Sequence, residues 1–223
     1  MKVKQTKQKN SMSKSALRRQ REKELRYQTI LDAAARLFAE NGYHQTSVEQ
    51  IADEAEVSTG AVYFYFKNKA DVLIRLIEDI GLYLRKRVGE EFIKHGSTIE
   101  GFKEAGLVYF REFCIKHPEK VALIFRESAG QGPEVEAVRK KIFDKLTADI
   151  KGALVRITEK KGLVLKDDTS IEVIAVSIIG IYERVVYHYQ LSQNPPEDIM
   201  TIGEDAVSFL IGGVEKLLDQ HNK

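Results

Sequence analysis

Between Tyr27 and Leu73 the signals that start and stop helices fall so close together that the chain has room only for short helices joined by tight turns. Tyr27, Ile30, Leu31, Ala34, Leu37 and Phe38 recur at a three-and-four spacing, which gathers their side chains on one face and predicts an amphipathic helix. Asn41-Gly42 ends it, because glycine takes the left-handed conformation of a helix C-terminus without steric cost. Thr46-x-x-Glu49 and Ser47-x-x-Gln50 then offer two overlapping capping boxes for a second helix, with Val48, Ile51, Ala52 and Ala55 on its inner face. After Glu56-Val57 comes a third start, in which Ser58 caps and Val57 with Val62 staples the chain's angle of approach. Asn68-x-x-Asp71 opens a fourth helix, whose Val72, Leu73, Leu76, Ile77, Ile80 and Leu84 carry towards Lys94.

The third helix is the unusual one. Its first residues, Thr59, Gly60 and Ala61, are small enough to let a backbone approach base edges, and an exposed helix N-terminus favours phosphate. Tyr63, Phe64 and Tyr65 come next, with Val62 and Phe66 facing inward and Lys67 and Lys69 just beyond. The plain alternative, three small helices of an ordinary bundle with half-buried tyrosines, explains any one of these features but not their order.

Taken together, Ala33, Gly42, Thr46, Ile51, Ala52, Val57-Ser58-x-Gly60-x-Val62-Tyr63-x-Tyr65-Phe66-x-Asn68-Lys69 closely resembles the N-terminal domain of the tetracycline-repressor (TetR) family. The resemblance covers residues 24–75, about a quarter of the chain. It implies an all-α fold: a three-helix helix-turn-helix domain joined by a connector helix to a larger helical domain over 76–223 that binds effectors and dimerises. It also implies DNA contacts. On this pattern Thr46, Tyr63, Lys67 and Lys69 touch phosphates, Thr59, Gly60, Ala61 and Phe64 lie where bases are read, and Ser47, Ser58 and Tyr65 complete the surface. Phe64 departs from a hydrogen-bonding residue and reaches only thymine methyls or sugar.

Charge supports the same partner. Nine basic residues against Glu22 alone give residues 1–23 a charge of +8 in a chain of net +2, leaving −6 for the remainder. This stretch lacks apolar periodicity and is expected to be a disordered arm, with Arg18, Arg19 and Arg21 nearest the duplex. Residues Lys2 to Lys9 receive no assignment.

The remainder reads as helices separated by short breaks at His117-Pro118, Gly130-Gln131-Gly132-Pro133, Gly162 and Pro195-Pro196, without strand alternation. Val135, Val138, Ile142, Leu146, Ile150, Leu154 and Ile157 predict one long helix over 134–160. The last two, from Asp168 or Thr169 to about Ser192 and from Glu197 to Asp219, carry Ile171, Ile174, Ala175, Ile178, Ile179, Tyr182, Val185 and Tyr189, too many apolar residues for one narrow face. Gly180, Gly203, Gly212 and Gly213 allow close approach, so a homodimer interface is expected here. A twofold dimer matches a pseudo-palindromic double-stranded operator with half-sites about 34–36 Å apart or a multiple. Family members resemble sensors, and Tyr109, Phe110, Phe113, Phe125, Phe143 and Tyr182, with Arg126 or Glu127 as polar anchors, are candidates to line a site for a small hydrophobic effector, an acyl chain or drug-like molecule. Gly81 and Gly89 are possible points of give in the connector.

The catalytic and metal searches return little. Gly130-x-Gly132 lacks a preceding strand and meets Pro133, Ser11-x-x-Lys14 lies in the basic arm, and no pair among the five histidines has the i, i+4 spacing of a helical zinc site. A single cysteine, Cys114, forms no intramolecular bridge and reads as core filler in a cytoplasmic, prokaryotic protein. No stretch is apolar enough to span a membrane and the start is no signal peptide. The expectation is a DNA-binding repressor, without enzymatic activity, metal or cofactor. Its rival is a helical interaction module that has lost DNA binding, which would have no reason to keep Tyr63, Lys67, Lys69 and the arm.

Overall fold

A computed structural model describes residues 13–162, 168–189 and 198–220, and the described residues are helical throughout apart from turns. Three helices form the N-terminal head: α1 (Lys14–Asn41), α2 (Val48–Glu54) and α3 (Thr59–Tyr65). α4 (Lys69–Lys94) leaves it without a break at residue 75 and packs on α5 (Ile99–Val108) and α7 (Pro133–Lys161). Between them lie α6 (Pro118–Ala122) and two wide π turns, Tyr109–Ile115 and Leu123–Glu127. α8 (Asp168–Tyr189) lies on α7, and α9 (Ile199–Gln220) on α5 and α8.

The starts and stops are local chemistry. Ser47 and Gln50 make the reciprocal capping box of α2, Ser58 Oγ accepts from the Ala61 N–H at 3.2 Å, and Asn68 Oδ1 accepts from the Asp71 N–H at 2.8 Å. Gly42, at φ 86°, closes α1 by donating to the Phe38 carbonyl, and Gly162, at φ 64°, closes α7.

One expectation fails at the N-terminus. Residues 14–23 are not a disordered arm but the first turns of α1, capped by Ser13. The run from Lys14 to Leu25 consists largely of good helix formers, and Arg18 with Glu22 adds an i, i+4 pair at 2.7 Å, so helix continuity suffices where burial is absent. Residues 1–12, with Lys2 to Lys9, lie outside the described residues, as does the stretch 190–197 containing Pro195-Pro196.

The apolar core runs from the head into the larger part of the chain: Ile30, Phe38, Ile51 and Phe66 belong to the same buried cluster as Phe110, Phe113 and Ile124. A second cluster, with Phe92, Leu154 and Ile178, fills the far end. Val72, Leu73 and Leu76 of α4 sit in the head's core and Phe92 in the other, so one rigid helix belongs to both. The predicted stripe of α7 is fully buried at Val135, Ile142, Leu154 and Ile157 but only half-buried at Leu146 and Ile150, where it meets a cavity instead of side chains.

Candidate nucleic-acid interface and cavity

α3 is clamped from behind and bare in front. Val62 and Phe66 are buried, Phe66 stacks on Tyr27 of α1 with ring centroids 5.2 Å apart, and the Tyr65 hydroxyl donates to the Lys23 carbonyl at 3.3 Å. Tyr63 is 52% exposed and Phe64 71%, an unusual position for large rings unless something covers them. Gly60 is exposed at the N-terminal end, with Thr59 and Ala61 half-exposed, and Lys67 is exposed beyond the C-terminal end. The front of α3 thus unites Thr59, Gly60, Ala61, Tyr63, Phe64 and Lys67. Because α1 extends back to Lys14, its basic turns stand beside this surface, with Lys23 Nζ 5.4 Å from the Phe64 ring centre. Arg18, Arg19 and Arg21 are exposed on the same extension. Lys23 was not among the expected contacts, although its place in the basic run was the signal.

Two expected phosphate contacts have other work. Thr46 is 1% exposed, and its hydroxyl points to the Gly42 and Leu37 carbonyls at 2.9 and 3.2 Å, tying the loop to the end of α1. Lys69 Nζ donates to the Tyr43 and Thr46 carbonyls at 2.7 and 2.8 Å, with the His44 carbonyl at 3.4 Å, and sits 4.4 Å from the Tyr43 ring centre. Its surroundings hold its ammonium below the usual lysine range by desolvation. In the structure both side chains act as fasteners of the loop 42–46. Ser47 and Ser58 remain at the surface, but their oxygens serve as caps.

A cavity of about 480 Å³ lies between α4, α5, α7 and α8. Of the expected lining, Tyr109, Phe125, Phe143 and Tyr182 face it. Phe110 and Phe113 do not: they are fully buried core, and Phe110 packs where a Cβ on Gly203 would stand. Arg126 and Glu127 do not either, since they face the head. The charged groups at the cavity are instead Arg85 of α4 and Asp149 of α7, joined by a two-pronged ion pair at 2.5 and 2.9 Å, together with Lys86 and Arg156. Sequence reading missed them because they come from helices 64 residues apart and carry no local signal. Tyr109 and Tyr182 stack with centroids 5.3 Å apart, and burial pushes both phenols upward, so they stay neutral at physiological pH. Cys114 is buried beneath, its thiol pushed up to about 12 by desolvation, which agrees with an inert core residue.

Of the expected apolar set on α8, Ile174, Ala175 and Ile178 are buried within the chain, Ile171, Ile179, Tyr182 and Val185 are half-buried, and Tyr189 is exposed. Outside that set, Val173, Val176 and Tyr187 of α8 and Phe209 and Leu217 of α9 face outward. Gly180, Gly212 and Gly213 have nothing within 4 Å of an added Cβ, but Gly203 is occupied by Phe110.

A short exposed helix held at a fixed angle by two others, and carried on a helix that also walls a half-open cavity, is the build of a helix-turn-helix DNA-binding regulator. Residues 30–76 match the description "Bacterial regulatory proteins, tetR family". Over that stretch the chain is similar to the TetR-family DNA-binding domain. It is 41% identical over 96 residues to the fatty acid metabolism regulator protein of Bacillus subtilis (strain 168), a stretch covering 43% of this chain and 47% of that protein. The aligned stretches span about half or less of the first curated relatives' own lengths. Among solved structures, the fatty acid degradation regulator FadR of Bacillus halodurans superposes with a TM-score of 0.75 at 25% identity, over 84% of this chain and 95% of that one. Bacillus subtilis FadR, solved in complex with stearoyl-CoA, gives a TM-score of 0.72 at 24% identity, over 84% and 98%. Each of these relatives is described as a regulator. No helix among the described residues is long and apolar enough to cross a membrane, and no group of three His, Cys, Asp or Glu among them is placed to hold a metal.

Proposed function

We propose that this chain is a cytoplasmic, ligand-responsive repressor that binds a pseudo-palindromic operator as a homodimer and releases it when an amphiphile, most simply a long-chain acyl thioester, fills the cavity. The observation that carries this is the shared helix: α4 begins one turn after the exposed α3 and ends as a wall of the cavity. The cavity's size is in the usual range for small-molecule sites, about 300–1,000 Å³, and aromatic and aliphatic side chains dominate its lining. An apolar tail suits that lining, and Arg85, once released from Asp149, is the group that would receive an anionic head. The bound stearoyl-CoA of the Bacillus subtilis structure supports this ligand class.

The DNA surface is the front of α3 with Lys67, plus Lys23, Arg18, Arg19 and Arg21 from α1. The dimer surface is the outward face of α8 and α9, because Val173, Val176, Gly180, Phe209 and Gly212 present an apolar face that nothing among the described residues covers. The domains implied are a reading head over 24–75 extended by the basic turns of α1, and an effector and dimer domain over 76–223.

The test is fluorescence anisotropy with a duplex selected from random sequence by the purified protein, at two salt concentrations, with and without palmitoyl-CoA. Salt-sensitive, sequence-selective binding that palmitoyl-CoA weakens by about 5- to 150-fold, while free CoA does not, is the expected result. Selective binding unmoved by any acyl thioester removes the effector class and leaves a drug-like ligand. Binding without sequence preference favours the interaction module.

A further inference from the structure

The head and the effector-binding part are joined by more than α4. Among the described residues two hydrogen bonds join the head to helices beyond residue 98, and both engage side chains of one π turn, Glu127 accepting and Arg126 donating. Glu127 is 8% exposed and uses both carboxylate oxygens: Oε2 accepts from the Tyr43 N–H at 2.8 Å, and Oε1 accepts from Arg126 Nε at 2.6 Å. Arg126 Nη2 in turn donates to the Ala39 carbonyl at 3.2 Å, a group in the last turn of α1 that has no partner within its own helix. Gly42 lies against the same carboxylate, 3.6 Å from where its Cβ would be.

Tyr43 is therefore gripped three ways. Its N–H is held by the π turn, its carbonyl by Lys69 of α4, and its ring by Phe38 in the head's core, 5.3 Å between centroids. A backbone peptide fixed at both ends sets the orientation of α1 and of the loop leading into α2. Phe125, two residues before Glu127 on the same π turn, is a wall of the cavity and packs against Phe143 at 6.0 Å. A π turn adds a residue to the helical repeat, and its conversion to α geometry rotates the residues downstream by roughly a hundred degrees per residue lost. A ligand that displaces Phe125 acts on the segment that places Glu127.

We infer that Glu127 is a positioning residue for DNA recognition: through the Tyr43 N–H it fixes the angle of the reading head, and through the π turn it reports the cavity's occupancy to that head. The second half rests on the effector reading proposed for the cavity; the first does not. The substitution is Glu127→Ala, measured against operator duplexes whose half-site spacing is shortened or lengthened by one and two base pairs. The wild-type dimer binds one spacing and loses affinity on either side. Glu127→Ala binds the best spacing several-fold more weakly and flattens the profile, because the heads no longer hold one angle. Glu127→Gln, which still offers an oxygen to the Tyr43 N–H, restores the wild-type profile. Arg126→Ala changes an exposed side chain, keeps the inference testable should Glu127→Ala fail to fold, and flattens the profile partway. A wild-type profile in both alanine variants overturns the inference, as does a wild-type protein indifferent to spacing. With palmitoyl-CoA as probe, Glu127→Ala binds the thioester as tightly as wild type but its DNA affinity shifts by less than about twofold, against about 5- to 150-fold in wild type. Full release in Glu127→Ala refutes the reporting role; failure of palmitoyl-CoA to bind wild type refutes the effector class and leaves the spacing result to decide Glu127.

Discussion

Replacing Lys69 with methionine separates a fastener from a phosphate contact. Methionine keeps most of the aliphatic stem and removes the ammonium, so what is lost is the pair of hydrogen bonds to the Tyr43 and Thr46 carbonyls at 2.7 and 2.8 Å and the ring contact at 4.4 Å. Hydrogen bonds from charged donors contribute about 1.5–3 kcal/mol each, and a partly exposed cation–π contact about 0.5–1 kcal/mol. Desolvation of the ammonium, visible in its lowered pKa, offsets part of this, so the net loss should be about 2–3 kcal/mol. For a chain of this size about 1 kcal/mol corresponds to 2–4 °C, which places the fall in Tm at roughly 5–10 °C. Circular dichroism melting reads that fall, and anisotropy titrations at several salt concentrations read the DNA side. A phosphate contact contributes about 0.9 to the slope of log K against log salt. A fastener leaves the slope intact while lowering stability. A slope reduced by about one with an unchanged Tm would refute the assignment and return Lys69 to the DNA surface.

Three further outcomes test the structure elsewhere. Glu56 joins α2 to α3 at φ 52°, in the left-handed region, so Glu56→Gly should stabilise the protein by roughly 0.5–1 kcal/mol in urea unfolding, and a loss of stability would mean the turn is not built this way. Gly203→Ala places a Cβ within 2.8 Å of three Phe110 ring carbons in a fully buried site and should cost about 1–3 kcal/mol in the same assay; a neutral result would show that α9 does not sit there. Val176→Glu with Phe209→Glu, at positions 54% and 73% exposed in the single chain, should turn a dimer into a monomer in sedimentation velocity without changing helicity, and should abolish operator binding. A double variant that sediments as wild type would place the interface elsewhere.

What the sequence revealed about this fold depends on how far each residue's partner lies along the chain. Ser47 with Gln50, Ser58 with the Ala61 N–H and Asn68 with the Asp71 N–H are interactions across three residues, and all three starts were readable. The engagements of Thr46 and Lys69 were not readable, because a polar side chain beside a helix-turn-helix looks available until the carbonyls that occupy it, from Leu37 to Thr46, are folded around it. The basic turns of α1 were read as an arm because apolar periodicity reports burial, and this stretch is helical without being buried: Leu25 is 70% exposed. In the cavity the aromatic residues were legible by type, but which of them face space and which are core depends on Gly203 meeting Phe110, and on an Arg85–Asp149 pair that joins two distant helices.

The continuity of the core limits how an effector can act. Val72, Leu73 and Leu76 are locked among the residues of the head, so α4 cannot bend away from it without opening buried contacts, and close-packed interiors resist that. The helix therefore moves as a rod. From Lys69 to Phe92 it runs about 35 Å at 1.5 Å per residue, with Ile80 near its middle. If the rod tilts about that point, a shift of about 1 Å at Val88 produces an opposite shift of about 1 Å at Val72, and twofold symmetry makes that about 2 Å between heads. Hydrogen bonds to phosphate hold over a range of only about half an ångström, so a 2 Å change in a spacing of about 34 Å breaks contacts in both half-sites together. Rigid heads on a rigid rod need only a small displacement at the cavity wall, provided the head is also held at its second attachment, Glu127 on Tyr43; without that attachment the head pivots on the loop 42–46 and absorbs the tilt.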